Sequence, residues 1–325
     1  MYATYGAAVQ IARRWSTQVL ALRRIDHICL RVADLDEAVA RWCVQFGFTE
    51  SRREGGRAFL RCGYEPYSLE LVEAEKPGFD HHAWELARET TLEDAAEHLE
   101  RAGVDFASAD EGLMLEDPEG NCVQLMPHRP TGDDFWPDVA RSTTELPGFR
   151  PRKVGHTNFL TADLEQQTAF YTDVLGMRIT DRLGSAGVWL HINADHHVVA
   201  FVDKGYAHVH HLALELVDWG EIRVALDHLA QHGRWLAWGP LRHGLGRNLS
   251  AYVRVPEEDC FVEIFCDVEQ LEQGHEPREW PDGAHSSNVW GILPPRSYFR
   301  FDAEAIEAER QGLEALGIPL SNREA

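Results

Sequence analysis

The chain repeats itself. Ile25-Asp26-His27 through Phe46-Gly47-Phe48 aligns with Val154-Gly155-His156 through Leu175-Gly176-Met177 at a shift of 129 residues, the separation of His27 from His156. The same shift pairs Ala33-Asp34-Leu35 with Ala162-Asp163-Leu164, and it carries His81-His82 onto His210-His211. A repeat this long is a whole domain, so the chain is expected to hold two copies of one fold. Its 325 residues leave room for two separate cores.

Each copy opens with a strand-like run, then Asp-Leu and a helical pattern (Glu37 to Phe46; Glu165 to Leu175), then short alternating strands. That unit is βαβββ. A second unit starts at each histidine pair, with strands at Ala83 to Leu86 and Leu212 to Leu216 and helices at Leu92 to Ala102 and Trp219 to His232. The expected fold is α+β, four βαβββ modules paired into two domains, followed by a C-terminal arm. Residues 1–24, with four arginines and no acids, form an N-terminal extension that reads as a short surface helix or an upstream start. Residues 25–128 are the first domain, 129–152 a proline-containing linker, and 153–268 the second domain. Residues 269–325 are the arm, with Trp and Pro between Pro277 and Arg300 and a helical pattern from Ala303 to Leu316.

The second copy carries a candidate metal site. His156 falls on the first strand of the third module, His211 on the first strand of the fourth, and Glu263 on the last strand, Phe261-Val262-Glu263-Ile264-Phe265. Strand alternation turns Glu263 away from Val262 and Ile264, and a carboxylate in such an apolar strand is costly unless it meets a cation. Singly, each is an ordinary strand residue, and His208 and His210 compete with His211. Together, two imidazoles and one carboxylate leave metal positions open, which suits Fe(II) oxygenase chemistry and serves Mn(II) equally. The first copy keeps His27 and His82 but has Gln124 at the glutamate position, so it is expected to be structural and without metal.

Composition excludes other classes. The net charge of −22 repels phosphate backbones, which excludes nucleic acid as a partner. No stretch approaches the roughly 20 apolar residues of a membrane span. The six cysteines form no CxxC pair and read as reduced core thiols of a cytoplasmic protein.

The set Gly155-His156-Thr157-Asn158, His196-His197 before Val198-Val199-Ala200-Phe201, His210-His211-Leu212, Gly239-Pro240-Leu241-Arg242-His243-Gly244, Tyr252 and Val262-Glu263-Ile264 carries a resemblance. Over about residues 25 to 300 the chain resembles the two-domain extradiol ring-cleavage dioxygenases of the vicinal oxygen chelate superfamily. Among them it looks most like the homoprotocatechuate and catechol 2,3-dioxygenases, sharing Asn158 and Trp189 with the former. The resemblance implies an enzyme of aromatic catabolism that opens a catechol-type diol with O2 to a muconic-semialdehyde-type product. It implies His197 as proton donor, His243 and Tyr252 as hydrogen-bonding partners of substrate oxygens, and Asn158 beside O2. Trp189, Trp238, Arg242 and Arg296 would border the substrate, and the arm with Trp290-Gly291 and Pro294 to Tyr298 would form a lid. A homo-oligomer, by analogy a tetramer, is also implied.

Three departures stand out. Val255-Pro256-Glu257-Glu258-Asp259 replaces the family's Asp-Pro-x-Gly turn, and Ala251 is smaller than the usual residue before the tyrosine. Trp238 stands where homoprotocatechuate enzymes carry an arginine for the substrate carboxylate. In the first copy, shifting His197 back by 129 gives Ser68. The rival readings are a glyoxalase-like isomerase, a 4-hydroxyphenylpyruvate-type dioxygenase, and a metal-free binding protein.

Overall fold

In the computed structural model, which describes residues 20–109, 111–130 and 148–299 together with Gln311 and Ala315, each repeat builds its own mixed sheet. The first sheet contains β1 (Leu22–Val32), β2 (Thr49–Glu54), β3 (Arg57–Arg61), β4 (Leu69–Glu73), β5 (Gly78–Leu86), β6 (Phe106–Ala109), β7 (Gly112–Glu116) and β8 (Cys122–Met126). The second contains β9 (Lys153–Thr161), β10 (Arg178–Leu183), β11 (Gly187–His191), β12 (Val199–Asp203), β13 (His208–Glu215), β14 (Leu236–Arg242), β15 (Leu249–Val255), β16 (Cys260–Cys266) and β17 (Arg278–Trp280). Strand order is β2-β3-β4-β1-β5-β8-β7-β6 in one and β14-β15-β16-β13-β9-β12-β11-β10-β17 in the other. In each, two βαβββ modules meet back to back along one antiparallel seam, β1 with β5 and β9 with β13.

The repeated Asp-Leu is a helix start. Asp34 accepts a hydrogen bond from the Glu37 amide to cap α1 (Leu35–Phe46), and Asp163 accepts one from Gln166 to cap α3 (Leu164–Ala169). α2 (Leu92–Ala102) and α4 (Trp219–Gln231) occupy the corresponding places in the later modules. The helix expected from Glu165 to Leu175 is α-helical only as far as Ala169 and continues as a π-turn over Phe170–Val174. The N-terminal extension ends earlier than expected, because Leu22 and Arg24 already pair with Leu86 and Glu85. The arm adds β17 to the edge of the second sheet. Most of the linker and the helical pattern from Ala303 to Leu316 lie outside the described residues, apart from Gln311 and Ala315.

Strand register corrects the alignment of the two copies. The β2–β3 hairpin turns through two residues, Gly55 and Gly56, whereas the β10–β11 hairpin needs three, between Leu183 and Gly187. Both first-copy glycines have positive φ, as a two-residue hairpin turn requires. Beyond that turn the shift becomes 130. Ala83 faces His27 as Ala213 faces His156, so His81 and not His82 is the counterpart of His211. Likewise Tyr67, not Ser68, is the counterpart of His197. Ser68 and Val198 are matched instead, their carbonyls accepting from Ile28 and Thr157. His82 points to the other side of the sheet, into the shared core, where Nε2 lies 2.9 Å from the Tyr171 hydroxyl of the second domain. Burial lowers its pKa to about 3, followed by the repulsion of His81.

Candidate active site

Three central strands of the second sheet bring the expected ligands together. His156 and Glu263 both flank Ala213 in register, and His211 lies two residues before Ala213, so all three side chains leave the same face. His156 Nε2 is 2.9 Å and His211 Nε2 3.1 Å from Glu263 Oε2, and the two Nε2 atoms are 3.3 Å apart. All three residues are buried. Burial pushes the Glu263 carboxyl up, but the proximity of His156 and then of His211 outweighs it and holds the group well below its ordinary range. Burial also takes His211 down to about 4.

The other carboxylate oxygen is already engaged. Glu263 Oε1 accepts from Asn248 Nδ2 at 2.8 Å and from Ser250 Oγ at 2.5 Å, which leaves Oε2 turned toward the imidazoles.

The paired histidines set the tautomers. His210 Nε2 lies 2.6 Å from the Tyr298 carbonyl, which can only accept, so His210 carries its proton there and presents Nδ1 as an acceptor. His211 Nδ1, 2.8 Å away, must then be the protonated nitrogen, and its Nε2 lone pair faces Glu263. The same device operates in the neighbouring pair. Asp181 accepts from His196 Nε2 at 2.9 Å, His196 Nδ1 accepts from His197 Nδ1 at 3.0 Å, and His197 Nε2 is left unprotonated. Burial, then the proximity of His156, keeps the His197 pKa well below its ordinary value. Arg278 and Trp280 anchor Asp181 at 2.7 and 2.9 Å. The His211 lone pair, His156 Nε2 and a carboxylate oxygen thus converge on one point, a donor set that fits one divalent cation.

A cavity of about 270 Å³ opens on this triad. His156, Asn158, Trp189, His197, His211, Trp238, His243, Tyr252 and Glu263 all line it, as expected from the sequence. His243 Nδ1 donates to the Ser287 carbonyl at 2.7 Å, so its Nε2 accepts from the Tyr252 hydroxyl at 2.7 Å. Burial, then Glu263, holds the Tyr252 phenol far above its ordinary pKa, and it stays protonated. Trp238 stacks on Tyr252 at 5.3 Å and donates its indole N–H to the Ile292 carbonyl.

Arg242 is a correction. Its guanidinium turns outward to the Arg247 carbonyl and Asp267, and it does not line the cavity. The side chain of Arg296 lies outside the described residues. The arm does reach the site, through Ser287, Pro294, Tyr298 and Phe299. Sequence reasoning missed Asp181, Asn248 and Ser250. Asn248 and Ser250 had a local signal, since an Asn-x-Ser pair on the strand antiparallel to a buried glutamate can reach it; Asp181 had none.

The fold and this site define a class. Residues 24–125 and 153–261 match the model of the Glyoxalase/Bleomycin resistance protein/Dioxygenase superfamily, and the chain belongs to that superfamily. Metapyrocatechase 2 of Cupriavidus necator is 28% identical over 305 residues, 86% of this chain and 92% of its own length. The manganese-dependent 2,3-dihydroxybiphenyl 1,2-dioxygenase of Geobacillus genomosp. 3 is 25% identical over 285 residues, 80% and 90% of the two chains. An extradiol ring-cleaving dioxygenase from B. fuscum shares the fold with a TM-score of 0.76 at 17% identity, over 88% of this chain and 83% of that one.

Proposed function

We propose that the chain catalyses extradiol (meta) cleavage of a catechol-type diol with O2, giving a muconic-semialdehyde-type product. The carrying observation is the convergence of His156 Nε2, His211 Nε2 and Glu263 Oε2 on one cavity that also holds His197, His243 and Tyr252. These three ligands would hold Fe(II) or Mn(II), the chemistry a two-histidine, one-carboxylate set serves. When bound, the ion supplies adjacent positions for diol and O2 and an electronic path between them.

The protein's own groups do the rest. His197 enters the reaction neutral, so its Nε2 first takes a proton from the arriving diol and later returns it as the acid the resemblance implies. Asp181 and His196 position that imidazole. Tyr252 keeps its proton, and an arriving substrate oxygen would take that O–H over from His243 Nε2 as charge develops there. Asn158 and Trp189 border the O2 side and the ring. The arm excludes water with Tyr298 and Phe299.

One wall of the cavity favours apolar substituents. Trp238 stands among Tyr252, Tyr298 and Leu241, and no arginine lines the cavity among the described residues. The Trp238 wall therefore suits a neutral alkyl or aryl group, while Lys204, over the Phe299 ring at 4.2 Å, is the cation in the cavity lining that an anionic substituent would meet. A cytoplasmic setting is supported by six unpaired cysteines; no described helix is long and apolar enough to cross a membrane. A homo-oligomer, by analogy a tetramer, is supported by exposed Trp290, Ile292 and Leu293, and light scattering tests it.

The deciding experiment is anaerobic loading with ferrous or manganous ion, then a panel of catechols in air. One O2 consumed per diol with a yellow semialdehyde absorption is expected. Turnover of a hemithioacetal without O2 would replace this reading with an isomerase.

A further inference from the structure

The geometry points to a second, closed metal site in the first domain, formed by His27, Glu70, His81 and Gln124 and suited to a zinc-like divalent ion. His27 Nε2 and His81 Nε2 are 3.1 Å apart, and Glu70 Oε2 is 3.3 Å from His27 Nε2. One ligand atom from each of the three lies within 4.8 Å of the others. Gln124 faces Ala83, which faces His27, as Glu263 faces Ala213, which faces His156. That register puts Gln124 at the position of Glu263, where its amide oxygen would be a neutral fourth donor. The four residues come from β1, β4, β5 and β8, and each is more than nine-tenths buried.

The outer shell makes the case. His27 Nδ1 lies 2.6 Å from Asp26 and His81 Nδ1 2.8 Å from Asp80, and a carboxylate accepts both protons. With both imidazoles neutral, the Nε2 atoms are lone pairs pointing at each other and at a buried carboxylate. Such an arrangement is repulsive until a metal ion or a proton stands between them, and a histidine backed by a carboxylate is the usual metal-ligating form. Asp26 is itself anchored by Arg129 and Asp80 by Arg31, while Glu70 Oε1 meets Arg57, leaving Oε2 for the ion. In the second domain Asp26 is replaced by Gly155, whose missing side chain makes room for Phe265.

What distinguishes the two sites is access. Tyr67 packs its ring 4.8 Å from His27, at the place His197 holds over His156. With Gln124 as the fourth donor the set would be complete, so this ion would tie four strands together and perform no chemistry.

The test is metal content after loading with Zn(II) and desalting, read by mass spectrometry. Two ions per wild-type chain are expected, and one each in Glu70→Gln, His81→Ala and Glu263→Gln. The Glu263→Gln protein loaded with Co(II) should still show the visible bands of a tetrahedral histidine site and unfold at a higher temperature than its metal-free form. A single ion in the wild type, or two retained in folded Glu70→Gln, overturns the proposal: the His27 cluster would then hold a proton instead. Because the readout is stoichiometry, the result does not depend on ring cleavage.

Discussion

Ser250→Ala tests the support of the metal site without touching a ligand. The Ser250 hydroxyl donates to Glu263 Oε1 at 2.5 Å inside a region with no solvent exposure, and Asn248 Nδ2 also contacts that hydroxyl at 2.8 Å. A hydrogen bond to a buried charged acceptor is worth about 1.5–3 kcal/mol. Its loss leaves Oε1 with Asn248 alone and frees the carboxylate to rotate Oε2 away from the imidazoles. Part of the loss falls on fold stability and part on metal binding. At about 1.4 kcal/mol per tenfold, and by the usual effect of outer-shell changes, metal affinity should drop about 10- to 100-fold. Equilibrium competition with a chelating dye measures the affinity, and thermal unfolding of the metal-free protein measures the rest. A folded Ser250→Ala protein with unchanged affinity and unchanged midpoint would refute the reasoning.

Other expectations follow from the same geometry. Glu263→Gln should abolish ring cleavage, whereas Gln124→Ala should leave it, as oxygen electrode traces will show; equal loss from both would contradict the assignment of catalysis to the second domain. Asp181→Asn should let the amide donate to His196 and reverse the tautomers through to His197, lowering kcat about 10- to 100-fold and reshaping the pH profile while metal content is unchanged. Tyr252→Phe removes one donor and should cost about 100-fold in kcat with little change in KM. His191 is held at about 4 by burial and then by Arg178, His275 and His196. Since the unfolded chain takes up that proton near 6.5, the contribution is complete above about 6.5. It is lost as the pH falls toward 4, at up to roughly 1.4 kcal/mol per pH unit. Urea midpoints of His191→Gln should show a shallower acid slope, and an identical slope would count against it.

The amino-acid sequence by itself determined the duplicated βαβββ plan, the capping aspartates and the identity of His156, His211 and Glu263. The reason is that strand alternation and helix capping are local rules, readable wherever the chain is regular. Only the tertiary structure decided the rest. A single extra residue in one hairpin turn shifts every later strand by one place and exchanges faces, which is why His81 rather than His82 faces His27. The proton positions on His197 and His211 depend on Asp181 and on the Tyr298 carbonyl, partners 16 and 87 positions away in the chain. Arg242 belongs to a motif yet turns outward to Asp267, because a long side chain follows the charges around it and not the spacing of its neighbours.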